Sequence, residues 1–256
     1  MTDDGARTRP LLMAGVAVAS VVVVIAGLLL WRAVSSDAPP EVALGSVSPA
    51  ATVDVGASPD AGADEAGAAP DTFDGVWAID TETGSLDDAS ASFAGYRIQE
   101  ELGDIGTNLA VGRTRNVQGS MTIAGTSATA LDVTVDMASL RSDDERRDSQ
   151  LASRGLETAR FPTATFTLVE PILVPSVPSQ GESVSATAVG DLTLHGVTQR
   201  VEVPVSAQWT GAHIEVAASL ELTLADFDIE PPTGFLVLSI ADTGTLELHL
   251  LFRRGA

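Results

Sequence analysis

The sequence contains no cysteine and no lysine, and only one tyrosine among its 256 residues. Without cysteine the chain has no disulfide, no thiolate metal site and no cysteine nucleophile, and a lipoprotein-type acyl anchor is excluded. The 35 acidic residues outnumber the 14 basic ones, all arginines, and give a net charge of −21. An acidic chain of this kind repels a phosphate backbone, so we predict no nucleic acid partner.

Long apolar runs are absent except near the N-terminus, where residues 11–31 contain no charged residue. About 20 apolar residues, at a rise of roughly 1.5 Å each, cross a hydrocarbon core of about 30 Å. The run therefore predicts a single transmembrane signal-anchor helix. A cleaved signal peptide is the alternative, with a small-x-small site at residues 33–35, but such a peptide has an apolar core of only about 7 to 15 residues.

The arginines around this run predict its orientation. Arg7 and Arg9 precede it within the predicted cytoplasmic N-terminus, residues 1–10, and Arg32 alone follows before the first acidic residue. Positive charge is retained on the cytoplasmic side. We therefore predict a single-pass protein of the cell membrane with its C-terminal domain extracytoplasmic.

Residues 32–72 are mainly Ala, Pro, Gly, Ser, Val and acidic residues, with no aromatic residue and no basic one after Arg32. A stretch of this composition cannot bury enough apolar surface to offset the entropy lost on ordering, and its like charges extend it. We predict a disordered acidic linker. It leads into the folded domain, residues 73–256.

From residue 73 onward, apolar and polar residues alternate with a period of two, which is typical of half-buried strands. The clearest strands are at residues 117–123, 131–137, 201–207, 214–224 and 246–252. Others are predicted at residues 76–80, 91–98, 164–170, 185–194 and 235–240. One helix is predicted at residues 143–153, with a capping box from Ser142 to Glu145 and an end at Gly155. The pattern is typical of both a sandwich and an up-and-down barrel and does not distinguish between them.

Six short motifs occur in the folded part. They are W-A-I-D at 77–80, V-Q-G-S at 117–120, D-M-A-S-L at 136–140, R-R-D-S-Q-L at 146–151, F-P-T-A-T-F at 161–166 and G-D-L-T-L-H-G-V-T-Q-R at 190–200. In this order and spacing the chain resembles the YceI-like domain family, the lipocalin-like, polyisoprenoid-binding barrels of bacterial envelopes. The stretch A-D-F-D-I-E at 225–230, followed by Pro231 and Pro232, departs from the family pattern at the expected barrel rim.

The resemblance implies an all-β fold, an eight-stranded antiparallel barrel with one short helix. Its apolar interior would hold a long-chain isoprenoid, a quinone or a similar amphiphilic lipid non-covalently, with no cofactor. The candidate lipid-binding residues are the larger apolar residues on the predicted inward faces of the strands. For each of them, the alternative is that it only packs in the hydrophobic core. They are Phe93, Phe166, Trp209, Leu220, Leu222, Phe235, Leu248 and Leu250.

Two other functions compete with a lipid carrier. One is a ligand-free interaction or structural module of the cell envelope, and the other is a lipid-modifying enzyme with Tyr96 or His195 facing inward. No G-x-S-x-G, Walker or dinucleotide-binding motif is present, so we predict a protein that is not an enzyme. The three histidines, His195, His213 and His249, allow two interpretations. They could together bind zinc, or His195 could lie in a turn while the other two face solvent. The last two fall in the polar phase of their strands, so we predict no metal site.

Overall fold

The computed structural model describes residues 38–45, 72–103, 106–232 and 237–255. The predicted membrane span at residues 11–31 lies outside these ranges, as does most of the predicted linker. Within the part that is described, no helix combines the length and the hydropathy needed to cross a membrane.

The folded part is almost entirely β-structure, as the period-two pattern predicts. Its strands are β1 (Gly75–Ile79), β2 (Phe93–Leu102), β3 (Gly106–Thr114), β4 (Val117–Ala124), β5 (Ser127–Asp136), β6 (Thr163–Leu168), β7 (Ile172–Leu173), β8 (Ser183–Leu194), β9 (Val197–Trp209), β10 (Ile214–Thr223) and β11 (Val237–Arg254). One α-helix, α1 (Glu145–Gln150), lies between β5 and β6.

The sheet closes on itself as an eight-stranded antiparallel barrel. Its strands follow one another in the order β1, β4, β5, β6, β8, β9, β10 and β11, and β11 pairs with β1 through Trp77 and Arg254. This last pairing decides between the sandwich and the barrel, which the sequence pattern left open. Closure also leaves no open edge within the ring for another chain to pair with.

The long strand β11 pairs with two different strands along the same edge. Its C-terminal end pairs with β1, and the rest of it, from Val237 to His249, pairs with β2. The hairpin of β2 and β3 therefore continues the barrel wall beyond the end of β1. The strand β3 has no clear alternation of apolar and polar residues, and the sequence pattern did not predict it.

The helix starts later than the sequence predicts. Asp144 is its N-cap, and its carboxylate accepts hydrogen bonds from the backbone N–H groups two and three residues further on. Ser142, the predicted cap, instead donates its hydroxyl to Asp148 at 2.7 Å. The capping-box prediction is therefore wrong, because an acidic side chain placed two residues later takes the capping position. After α1 the chain continues as a π-helical turn that ends at Gly155, the residue where the predicted helix ends.

Aromatic side chains fill one end of the barrel, where β10 begins. The rings of Trp77 and Trp209 meet edge to face at 5.9 Å, and the ring of Phe73 lies 5.4 Å from that of Trp209. The indole N–H of Trp77 donates to the carbonyl of Phe73 at 2.8 Å, so this buried donor is satisfied. These three residues, together with Leu250 and Phe252, are called the Trp77 cluster below.

Part of the predicted linker contacts the outer wall of the barrel. Residues 38–45, called the strap below, include Pro40, whose carbonyl accepts from the guanidinium of Arg113 at 2.7 Å. The carbonyl of Gly45 accepts from the side-chain amide of Gln208, also at 2.7 Å. These residues of the predicted linker thus pack on the barrel, and their composition gave no sign of it.

The strap lies against Glu215, a buried carboxylate that is hydrogen-bonded to His249. Glu215 accepts hydrogen bonds from His249 at 2.7 Å, from Gln208 at 2.6 Å and from the N–H of Gly45 at 2.7 Å. Burial opposes ionisation of Glu215, but these three donors outweigh it and lower its pKa to about 2. The other ring nitrogen of His249 faces the carbonyl of Ala91 at 2.8 Å. Each of the two ring nitrogens therefore lies at hydrogen-bond distance from an oxygen.

The prediction that His249 faces solvent is wrong, since only 2% of its surface is exposed. It does lie in the polar phase of β11, pointing away from the barrel interior. Period-two reasoning identifies which side of a strand a residue takes, but not whether that outer side is covered by another segment.

Candidate functional site

The barrel interior contains an apolar cavity of about 380 Å³, toward the end opposite the Trp77 cluster. Its aliphatic lining includes Leu140, Leu156, Leu192, Leu194, Leu222 and Leu246. Small-molecule sites in proteins have volumes of about 300 to 1,000 Å³ and are mostly apolar, with few polar groups. The cavity has the size and the chemistry of a site for an apolar ligand.

Strand alternation places these side chains in the cavity. In β2, Ala94, Tyr96 and Ile98 line it, and in β11 Leu246 and Leu248 do so. Residues two apart on a strand share one face, so each strand contributes every second side chain to the interior. The helix α1 and the π-helical turn lie across the open end, where Leu151 joins the lining.

An ion-pair network holds α1 at the mouth of the cavity. Arg147 donates to Glu100 at 2.6 Å and also pairs with Asp143, and Asn108 donates to the same oxygen of Glu100 at 2.8 Å. Burial lowers the pKa of Arg147, but its hydrogen bonds to the two carboxylates outweigh burial and raise it. Arg147 therefore ties the helix to β2 through Glu100.

Tyr96 is a polar residue within the cavity lining. Its hydroxyl is buried and has no hydrogen-bond partner among the described residues. Burial raises the pKa of this phenol, and the charges of Asp148 and Glu100 add to that rise while Arg147 opposes it. The hydroxyl is therefore a neutral donor at any ordinary pH.

Comparison with known proteins agrees with this architecture. Residues 77–252 match the family model of the YceI-like domain. This chain belongs to the YceI-like domain family. A UPF0312 protein of Pseudomonas putida (strain W619) is 30% identical over 168 residues, covering 59% of this chain and 84% of that protein. A UPF0312 protein of Vibrio vulnificus (strain YJ016) is 30% identical over 131 residues, covering 48% and 62% respectively.

Among solved structures that are similar to this chain is one with the same fold. It is a polyisoprenoid binding domain from Saccharophagus degradans implicated in plant cell wall breakdown, with a TM-score of 0.53 at 19% identity. The match covers 70% of this chain and 98% of that one. The YceI-like domain and this neighbour therefore have the same barrel, and the family resemblance seen in the sequence motifs is confirmed.

Three of the predicted lipid-binding residues line the cavity of the YceI-like domain. These are Phe166 on β6, Leu222 on β10 and Leu248 on β11. The structure brings them to one space although they are distant in sequence. Their contact with a lipid remains a prediction.

The other predicted residues lie elsewhere. Trp209 and Leu250 are buried in the Trp77 cluster, and Leu220 packs beside the cavity without lining it. Phe93 takes the opposite face of β2 from Tyr96, where its ring stacks on His249, so its expected inward orientation is wrong. The inward face of β2 cannot be identified from its alternation, because small and apolar residues occupy both faces at the start of the strand. Phe235 lies outside the described residues.

Several lining residues escaped the sequence analysis. Leu151 and Leu156 come from the helical segment, and Ile229, Pro231 and Pro232 come from the loop after β10. From the sequence, the two prolines are expected only at the rim of the barrel. An apolar residue in a loop or a short helix gives no period-two signal.

The three histidines lie apart, and each has its own carboxylate. His195 faces Glu157 at 3.2 Å, and His213 faces Asp80 at 2.8 Å, while His249 pairs with Glu215. Across the described ranges, no three His, Asp or Glu side chains form a group that could hold a metal ion.

Proposed function

We propose that the YceI-like domain of this chain holds a long-chain isoprenoid or a similar amphiphilic lipid non-covalently in its barrel. The observation that supports this proposal is the apolar cavity of about 380 Å³ in the barrel interior. Removing apolar ligand surface from water contributes about 25 cal/mol per Å². A long hydrocarbon chain is the ligand for which such a wall supplies the most binding free energy.

The fold neighbour supports the same ligand class, since the protein from Saccharophagus degradans is described as a polyisoprenoid binding domain. For the present chain, the surface of the cavity is mostly apolar and includes ten leucines, which suits a prenyl chain better than a sugar or a nucleotide.

We further propose that residues 11–31 anchor the chain in the cell membrane, with the barrel on the extracytoplasmic side. The charge bias of Arg7 and Arg9 against Arg32 supports this orientation. A tether to the bilayer that supplies the ligand gives the domain a high effective ligand concentration.

Native mass spectrometry of the purified full chain, followed by organic extraction, tests the lipid proposal. We expect a stoichiometric prenyl lipid to be released from the wild type. Ala164→Phe adds a ring to the cavity lining and should lower the recovered lipid at least fivefold, whereas Ala130→Phe, at an exposed position of β5, should leave it unchanged.

A mass without any bound lipid, unchanged after incubation with long-chain isoprenoids, would refute the proposal. It would favour the ligand-free interaction module of the cell envelope. A labelling experiment tests the anchor separately: a cysteine introduced at an exposed position of the barrel should react with an impermeant maleimide in intact cells, and protection from that reagent would contradict the orientation.

A further inference from the structure

The strap, residues 38–45, runs across the strands of the barrel wall. Near its start, the carbonyl of Pro40 accepts from Arg113 on β3. At its end, the carbonyl of Gly45 accepts from Gln208 on β9. The strands between these contacts follow in the order β3, β2, β11, β10 and β9, so four spacings of about 4.8 Å, roughly 19 Å in all, separate the two contacts. Five extended residues span about 17 Å, and two long side chains supply the rest. The strap is therefore an extended segment that crosses five strands.

The wall holds the strap through charge as well as through backbone hydrogen bonds. The N–H of Gly45 donates at 2.7 Å to Glu215, whose carboxylate is buried. Burial lowers the pKa of the Arg97 guanidinium, and the negative charge of Glu41 in the strap opposes that effect. Interactions with the wall therefore occur along the strap and not only at its two ends.

Exposure alternates along the strap. Val42 and Leu44 are half-buried, whereas Glu41 and Ala43 are exposed. An extended chain directs successive side chains to opposite sides. Val42 and Leu44 thus take the side toward the wall, and Ala43 takes the side toward solvent.

The chain leaves the strap close to the place where it enters the barrel. Gly45 contacts Gln208, and the next residue of β9, Trp209, has its ring 5.4 Å from that of Phe73, where the folded domain begins. The 26 residues between the two described ranges, 46–71, therefore start and finish beside the same end of β9. They add nothing to the distance between the barrel and a membrane to which the N-terminal part is attached.

We propose that the strap is the point at which the barrel is attached to its membrane anchor, and that its docking holds the barrel at the bilayer surface. The tether is then residues 32–39 in place of residues 32–72. Coils of these two lengths have r.m.s. end-to-end distances of about 16 Å and about 35 Å. Release of the strap would let the barrel move about twice as far from the bilayer. This inference rests on the proposed anchor at residues 11–31 and adds a device that sets the distance of the cavity from the membrane.

Fluorescence energy transfer in the full chain measures this distance. The chain has no cysteine, so Ala130→Cys, at an exposed position of β5, carries the only donor dye. The acceptor is a labelled lipid in phosphatidylcholine nanodiscs that hold the anchored chain. The release variant combines Leu44→Asp, which places a charge against the wall, with Gly45→Pro, which removes the N–H that donates to Glu215. The donor in this variant should lie roughly 20 Å further from the bilayer than in the wild type.

A matched control carries the same added charge on the other side of the strap. Ala43→Asp, at an exposed position, should keep the wild-type distance. Amide hydrogen exchange of the strap, measured by mass spectrometry, verifies docking: exchange should be slow in the wild type and in this control, and at least tenfold faster in the release variant.

A deletion separates attachment at the strap from a merely stabilising contact. Removal of residues 50–69 leaves enough chain between Gly45 and Phe73 to span about 25 Å. In the wild type the deletion should not change the donor–bilayer distance, because these residues lie outside the tether. In the release variant the deletion should shorten it by about 10 Å, because the same residues then belong to the tether.

The outcomes distinguish this inference from the proposed anchor. Equal exchange of the strap in the wild type and the release variant, or equal donor–bilayer distances in the two, refutes the inference while the anchor stands. A deletion that shortens the distance equally in both backgrounds refutes it as well. If the full chain does not associate with nanodiscs, the proposed anchor and this inference are overturned together.

Discussion

Gly112→Ala offers a test of how the cavity wall is built. The position is buried and its backbone is not left-handed, so alanine is compatible with the local conformation. The added Cβ would lie 2.3 Å from Cε1 of Tyr96, 2.7 Å from Cζ and 2.9 Å from the hydroxyl oxygen. Carbon atoms in favourable contact are about 3.5 to 4.0 Å apart, so the ring must move.

The cost follows from that displacement. Overpacking a core by one methyl group costs about 1 to 3 kcal/mol, and here all three close atoms belong to one side chain. We therefore expect Gly112→Ala to lower the free energy of unfolding by about 2 kcal/mol in the wild-type background. In Tyr96→Leu, which lacks atoms at those three positions, the same substitution should cost less than about 0.5 kcal/mol.

Urea unfolding, followed by the fluorescence of the buried tryptophans, measures all four variants of this cycle. The coupling energy between the two positions should be at least about 1 kcal/mol. Gly95→Ala is the matched control on the neighbouring strand. Its Cβ would lie 2.5 Å from the backbone oxygen of Gly112, so truncating Tyr96 cannot relieve it. Equal costs of Gly112→Ala in both backgrounds would refute the stated position of the ring.

Three further predictions concern charge and the strap. The pKa of Glu215 is about 2 in the folded chain against an ordinary 4.5, so its carboxylate stabilises the fold above pH 4.5 and this contribution is lost as the pH falls toward 2. Urea unfolding should show a loss of about 2 to 3 kcal/mol across that range, and a flat profile would contradict the geometry. A chain that begins at residue 46 loses three hydrogen bonds between strap and wall and should be about 2 to 4 kcal/mol less stable than one that begins at residue 38. Equal stability would show that the strap contributes nothing. Arg147→Met should destabilise the fold by about 2 to 4 kcal/mol and speed hydrogen exchange in α1, because it leaves a buried carboxylate without its cation. Arg146→Met, at an exposed position of the same helix, should change neither, and matching exchange rates in the two variants would rule out the proposed tie.

The local pattern of residues determined much of this fold. Alternation placed the strands that became β4, β5, β9, β10 and β11, because a half-buried strand must present apolar side chains every second residue. It also assigned Leu222 and Leu248 to the barrel interior. The motifs around Trp77 and His195 identified the family before any pairing was known.

Other features depend on which segments become neighbours, and no local pattern contains that information. Closure of the barrel required β1 to meet the end of β11. The burial of His249 required Phe93 to stack on its ring, and required Ala91 and Glu215 to meet its two ring nitrogens, on the polar side of its strand. The exposure of a side chain on a strand is fixed by what packs over it, and that is a property of the whole fold.

The sequence by itself thus determined most of the strands, the apolar faces of the clearest ones, the acidic character of the chain and its family. Only the tertiary structure decided that the space between those faces stays open near α1, and that Tyr96 forms part of its wall. The physical reason is that a cavity is the part of a core that its side chains do not fill. Its existence follows from the summed shapes of residues brought together from many strands.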